Sequence, residues 1–334
     1  MDHVSFPYRS FSHLTLLHVV SESGAWEKYG LEVEYNRYIS SSEAHRSVPA
    51  GEVEFVGGNH ISTYAHRAHS GDDWVYLGQS SNLADYQLVV RHDSEIDGVA
   101  GLRGKKVITR GAHPSLNHWL ILKQRGLDID RDDCELVNQL KYKRGELDSM
   151  NRDDPEALNM PTLSQLVQNR EFDAAFVATP QGEFAKAAGL KVIDIEALPM
   201  IWHTTVSSSM SFVQKHPDIV ERLLKGLIEG IHFFKTKPEE TIDILTRLYT
   251  IEGRLTREQA AATYAIIAPT LEPKLFPAMA AIANVYAEAV RQDKDALKVN
   301  PMELWDMHHL RRIDDSGLVR QLYGNSLAQY TPKL

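Results

Sequence analysis

The sequence predicts an α/β protein of two lobes, with parallel sheets covered by helices and a helical C-terminal part. Three observations carry this prediction. Strand-like alternation and helix-like periodicity take turns from Val4 to about Asp194, and purely helical periodicity follows Ser211. The chain has 334 residues, more than one compact lobe usually holds. Its hydrophobic content of 43% supports ordinary cores.

In order, Val4 to Phe6 begins a short strand, Pro7 to His13 reads as a polar loop, and LTLLHVVSESG has helical spacing. LEVEYNRY alternates like a half-buried strand, and Ser40 to Arg46 supplies caps for a helix ending near Pro49. WVYLG at Trp74 and YQLVVR at Tyr86 are strand candidates separated by the polar SSNLAD. Lys106 to Thr109 is a strand, Arg110 to Pro114 a turn, and Ser115 to Gln124 a helix with Leu116, Trp119, Leu120 and Leu122 on one face. Residues 141–160 are charged and poor in apolar side chains, which suggests a surface insertion. Helix LSQLVQNR, strand FDAAFVA, a turn at Thr179-Pro180, a helix to Ala188 and strand KVIDI follow. From Val220, the residues Leu223, Leu224, Leu227, Ile228, Ile231 and Phe234 fall at helical intervals, and Pro238 ends the run. Helices continue to about residue 292, and the last stretch reads as a short helix with an extended tail.

The chain is organised around Gly51 to Gly71, GEVEFVGGNHISTYAHRAHSG. Val53 and Phe55 alternate with Glu52 and Glu54, Gly57-Gly58 break the pattern, and a helix-like run begins with Asn59 as its N-cap. A helix N-terminus at the C-terminal edge of a sheet suits an anion. The alternative is that the two glycines only let helix and strand pack closely. Both readings stay open at this point.

With 36 basic and 45 acidic residues the net charge is −9, and no long basic cluster tracks a phosphate backbone, so nucleic acid is not an expected partner. A single cysteine, Cys134, excludes an internal disulfide and a thiolate cluster for structural zinc. No run of about 18 apolar residues exists, so no membrane insertion is expected. The first residues lack a basic region before their apolar segment, which predicts a cytoplasmic protein, or a periplasmic one if a leader once preceded Met1.

Several stretches together resemble the type II periplasmic binding protein fold, in its sulfonate-binding and thiamine-pyrimidine-synthase-like group. They are SESGAWEKYGLEVEY, GEVEFVGG, the LRGKKV to LKQRGLD unit, EFDAAFV, and SFVQKHPDIVERLLKGLIEGIHFFKTKPEETIDIL. The resemblance implies two lobes joined by crossing strands with a ligand cleft between them. It puts residues 1–90 and 206–334 in the first lobe and 91–205 in the second. The positions matching its ligand-facing loops are Arg9, Ser10, Phe11 and His13; His45; Gly58, Asn59 and His60; Ser81 and Asn82; Arg110, Gly111, His113 and Ser115; Thr179; and His203 with Thr204. An arginine, hydroxyls and helix N-termini suit a carboxylate, sulfinate or sulfonate. Against the pyrimidine synthases, the cofactor lysine falls at Gly58 and the consumed histidine at Ser62, so that activity is not implied. Against the hydroxybiphenyl sulfinate desulfinases, the nucleophilic cysteine falls near Phe11 and the arginine near Phe55, while the histidine matches His45.

This group contains both receptors and enzymes. Histidines 13, 45, 60, 113 and 203 on the implied loops favour proton transfer near neutral pH. The expectation is a decarboxylase- or desulfinase-like lyase without cofactor, in which Arg9 or Arg110 holds the anion and His60 or His45 protonates the ring carbon. The alternative is the solute-binding component of an uptake system, partnered by an ABC permease and without turnover. For metals, His66 and His69 share a helical face without an evident third ligand. His308-His309 are adjacent and are expected to point apart.

Overall fold

The computed structural model describes residues 1–9, 11–58, 61–84, 86–109, 118–131, 133–138, 162–177, 181–250 and 253–333. The charged stretch 141–160 lies outside them. Two compact units emerge: Met1–Ala84 with Pro199–Thr250 and Arg254–Leu334, and Asp85–Leu198 with Ile251–Gly253.

The first unit starts with a β-α-β arrangement. Strand β1 (Asp2–Ser5) pairs in parallel with β2 (Leu31–Glu34), and helix α1 (Phe11–Glu22) crosses between them. The helix begins at Phe11, so Phe11 and His13 stand in its first turn and not on a loop. Helix α2 (Ser41–Ser47) is capped by Ser40, whose Oγ accepts the Glu43 N–H at 3.1 Å.

A three-stranded sheet runs in the order β3-β10-β4, from Val56–Gly57, Leu198–Ser209 and Trp74–Ala84 respectively. Only two residues of GEVEFVG join it. The stretch alternates in burial because it lies extended beside β1, with Phe55 N–H donating to Ser5 O at 3.1 Å and Gly57 N–H to Pro7 O at 3.3 Å. The second expected strand, at Tyr86, is separate, but strand β4 continues through the polar SSNLA, where the sequence suggested a break after Gly78. Its polar members are buried, and their hydrogen bonds are supplied within the unit.

Helix α3 (Ser62–Ser70) follows the glycine pair; its N-cap is Ile61, which makes no side-chain cap, and not Asn59. Further on, the helices at Pro217–Thr236 and Pro238–Arg247 each carry a proline in the first turn. Pro238 therefore starts a helix as well as ending one. The Val220-to-Phe234 stripe is buried, and Gly230 lets the Pro217–Thr236 helix close on α1: a Cβ there would lie 2.6 Å from Val20 Cγ2. The chain finishes in short helices at His308–Asp315, Leu318–Tyr323 and Leu327–Tyr330, where an extended tail was expected.

The second unit holds a five-stranded sheet in the order β7-β6-β8-β5-β9, from Glu135–Asn138, Lys106–Thr109, Ala174–Val177, Gln87–Val90 and Lys191–Asp194. Strand β6 is parallel to β7 and β8, but β5 is antiparallel to β8 and β9, so the sheet is mixed and not purely parallel. Alternation in sequence reports a strand and its buried face, not its direction. Leu166, Val167, Phe172, Ala175 and Ile108 fill one face of this sheet.

Candidate functional site

In the first unit, the start of α1 lies against the glycine pair, and the last turn of α2 lies against the N-terminal end of α3. The Arg9 N–H donates to His13 Nδ1 at 3.4 Å, which turns the chain into α1. The buried His13 ring then lies against Gly57 and Gly58. A Cβ on Gly58 would come 2.7 Å from His13 Cε1, and Gly58 has a φ of +98°. The glycines are thus required by the close approach of an imidazole from α1.

Gly58 cannot offer an N–H to an anion. That group donates to Thr205 O at 3.0 Å, and its carbonyl accepts the Ser207 hydroxyl at 2.9 Å. Ser81 and Asn82 are likewise committed. The Ser81 hydroxyl donates to Leu83 O at 3.1 Å, and Asn82 ties down the 276–278 segment, donating to Phe276 O at 3.0 Å and accepting from Ala278 N–H at 2.8 Å. These three positions act in the framework rather than as ligand donors.

His45 has a different environment. Its Nε2 lies 2.9 Å from the Ser62 hydroxyl at the start of α3, and its ring stacks on His66 at 4.2 Å with 14° between the planes. His66 in turn pairs through Nδ1 with Asp72. Burial, helped by the positive fields of His66 and Arg9, pushes the His45 imidazole down to about 4. Its Nδ1 is buried without a hydrogen-bond partner among the described residues. A ring that is neutral near pH 7 is a poor general acid there, which weakens the proton-donor role expected for it. For Asp72, burial raises the carboxyl, but the hydrogen bonds from His66 and the Trp74 N–H outweigh it and leave the group below its ordinary value.

His203 and Thr204 lie in β10 rather than on a loop. His203 is buried and has a φ of +52°, an uncommon backbone for a side-chain-bearing residue in a strand. Two neighbours on β4 hold the chain on either side of it: Gln79 Nε2 donates to Trp202 O at 2.5 Å, and the Thr204 N–H donates to Ser80 Oγ at 2.8 Å. The Thr204 hydroxyl is buried and has no partner among the described residues, as is the case for Thr109 at the end of β6 in the second unit.

Ser10, Asn59, His60, Arg110, Gly111, His113, Ser115 and Thr179 lie outside the described residues. Among the rest, Arg9 and Gly58 lie against His13, and Arg9 acts electrostatically on His45. Sequence reading missed Gln79, Ser62 and Asp72, which carry no local motif. It considered His66 only with His69, because the stacking partner His45 is on another helix.

A model of the family described as NMT1/THI5 like matches residues 12–241, well over half of the chain. The chain belongs to that NMT1/THI5-like family. Solved structures extend the likeness at the level of fold. The alkanesulfonate-binding protein SsuA of Xanthomonas axonopodis pv. citri, bound to MOPS, is 15% identical, with 92% of this chain and 99% of that chain covered and a TM-score of 0.65. The periplasmic aliphatic sulphonate binding protein SsuA of Escherichia coli is 17% identical, with 91% and 96% covered and a TM-score of 0.63. The desulfurization enzyme DszB is 15% identical, with 100% and 97% covered and a TM-score of 0.51. Among curated proteins, no sequence match is found. The fold of this family member is therefore that of the periplasmic binding proteins.

Proposed function

We propose that the protein is a solute-binding component that captures a small organic anion, of the sulfonate or carboxylate class, at the Arg9 corner and passes it to a membrane permease. One observation carries the reading: the charge of Arg9 falls on a corner where the neighbouring imidazole is held neutral. A guanidinium in such a place is suited to an oxyanion, which it can bind through paired N–H groups. The Thr204 hydroxyl, on the sheet that also carries Gly57, has no hydrogen-bond partner among the described residues and is a further candidate donor. Family membership and the SsuA relatives, whose names describe sulfonate binding, support the same ligand class.

A lyase is the second reading, favoured by the DszB relative, which is known in complex with biphenyl-2-sulfinic acid. His45 gives it less support than expected, since the ring lacks its proton near pH 7. A cytoplasmic setting receives no support from the E. coli relative, which is described as periplasmic.

The test is a panel of aliphatic and aromatic sulfonates, sulfinates and carboxylates, with thermal shift and product mass followed in the same wells. Stabilisation with the ligand recovered intact is expected. A mass loss matching carbon dioxide or sulfur dioxide would replace the receptor by the lyase.

A further inference from the structure

Three groups of histidine and carboxylate side chains among the described residues come close enough to share a cation: His45, His66 and Asp72; His69, Asp293 and Asp295; and Asp306, His308 and His309. The first is badly shaped for it. With the two imidazoles stacked 14° from parallel at 4.2 Å, one ion cannot lie in both ring planes, where the lone pairs point. The second is spread around one ring. The two nitrogens of His69 face different carboxylates, Asp293 at 3.0 Å from Nε2 and Asp295 at 3.4 Å from Nδ1, so the three groups do not converge on one point.

The third group is different. The rings of His308 and His309 lie 3.8 Å apart with their planes 39° from parallel, so their in-plane directions can converge. The expectation that adjacent residues point apart fails because they open the His308–Asp315 helix, where Asp306 folds back: its Oδ1 accepts the His308 N–H at 3.1 Å and lies 2.5 Å from His308 Nδ1. His309 is fully buried, and neither of its ring nitrogens has a hydrogen-bond partner among the described residues. Glu221 Oε1, on the helix packed beneath, stands 3.7 Å from His309 Nδ1, beyond hydrogen-bond reach. A fully buried imidazole with both nitrogens unsatisfied calls for an explanation.

We propose that Asp306, His308 and His309 bind one borderline divalent cation of the Zn2+ class, with Glu221 orienting His309 from behind. The donor atoms lie within 4.8 Å of one another, and ligands on one tetrahedral Zn2+ are separated by roughly 3.3 Å, so small side-chain rotations that open the 2.5 Å Asp306–His308 pair and bring His309 to it would admit the ion. Two imidazoles and a carboxylate are the donor set such an ion favours, and a carboxylate behind a ligating histidine is the usual support. The proton between His308 Nδ1 and Asp306 leaves to solvent as the cation takes its place. His308 is 56% exposed, which gives an entry path and leaves the fourth coordination position to water. The ion would fasten the His308–Asp315 helix to the Pro217–Thr236 helix, and so acts apart from the Arg9 corner.

The test titrates the metal-stripped full chain with Zn2+ and with Co2+ alone. One cation per chain, a rise in unfolding temperature and visible Co2+ d–d bands are expected. His308→Ala and Asp306→Asn should abolish all three, whereas His66→Ala and His69→Ala should keep them. Asp306→Asn retains an acceptor for the His308 N–H, so loss of folding does not confound it, and circular dichroism of each variant without metal checks this. Glu221→Gln should weaken Zn2+ by about tenfold or more while leaving one site. Absence of saturable binding to the wild type overturns the proposal, and so does binding that survives in His308→Ala or is lost only in His66→Ala or His69→Ala.

Discussion

His45 should make the protein acid-sensitive in a window that its surroundings define. Its folded-state value of about 4 lies below the ordinary 6.5, with burial as the largest cause and the fields of His66 and Arg9 adding to it. On acidification the unfolded chain therefore takes up the proton first. The contribution of the neutral ring is complete above pH 6.5 and is lost as the pH falls through the folded-state value near 4. At about 1.4 kcal/mol per pH unit this amounts to roughly 3 kcal/mol, or about 2 kcal/mol once solvent reaching the part-buried ring is allowed for. His45→Gln removes the titration while keeping a group that can bond to Ser62. Urea unfolding of both proteins at a series of pH values from 7 to 4 gives the difference directly. The wild type should lose stability relative to the variant steadily across the window and then level off. A difference that stays constant with pH would show that His45 titrates normally and refute the reasoning.

Other predictions come from packing. Gly58→Ala should destabilise by about 2–4 kcal/mol, from backbone strain at positive φ together with the clash on His13. Combining it with His13→Ala should recover the clash part in a double-mutant cycle. Gly230→Ala should cost about 1–3 kcal/mol in urea unfolding because its Cβ meets Val20. Asn82→Ala removes both hydrogen bonds to the 276–278 segment; about 2 kcal/mol of stability and faster amide exchange at Ala278 are expected.

How far the sequence spoke for itself depended on whether a signal was local. The stripe from Val220 to Phe234 was plain, because a single long helix with one apolar face repeats its signal many times. Helix α2 was legible from the capping residues of Ser40 to Arg46, and Ser40 does cap it. Strand direction in the second unit was not, since the short apolar run of β5, buried at every position, reads the same whichever way its neighbours run. SSNLA was read as a loop because its residues are polar; it is a buried strand whose partners, such as Phe276, Ala278 and Thr204, lie far along the chain. In the candidate site, Gly57-Gly58 drew attention correctly as a place of close approach, but what approaches is His13 and not an anion. The pairing of His45 with His66, and of His309 with Glu221, joins separate helices and has no sequence spacing to betray it.

The most direct measurement is a calorimetric titration of an alkanesulfonate and a matched carboxylate into the wild type and into Arg9→Gln. The account predicts saturable binding of one anion per chain, weakened about tenfold or more when the guanidinium is removed, which corresponds to about 1.4 kcal/mol or more. Arg9→Gln binding the anion as tightly as the wild type, or no saturable binding across the panel, would contradict it.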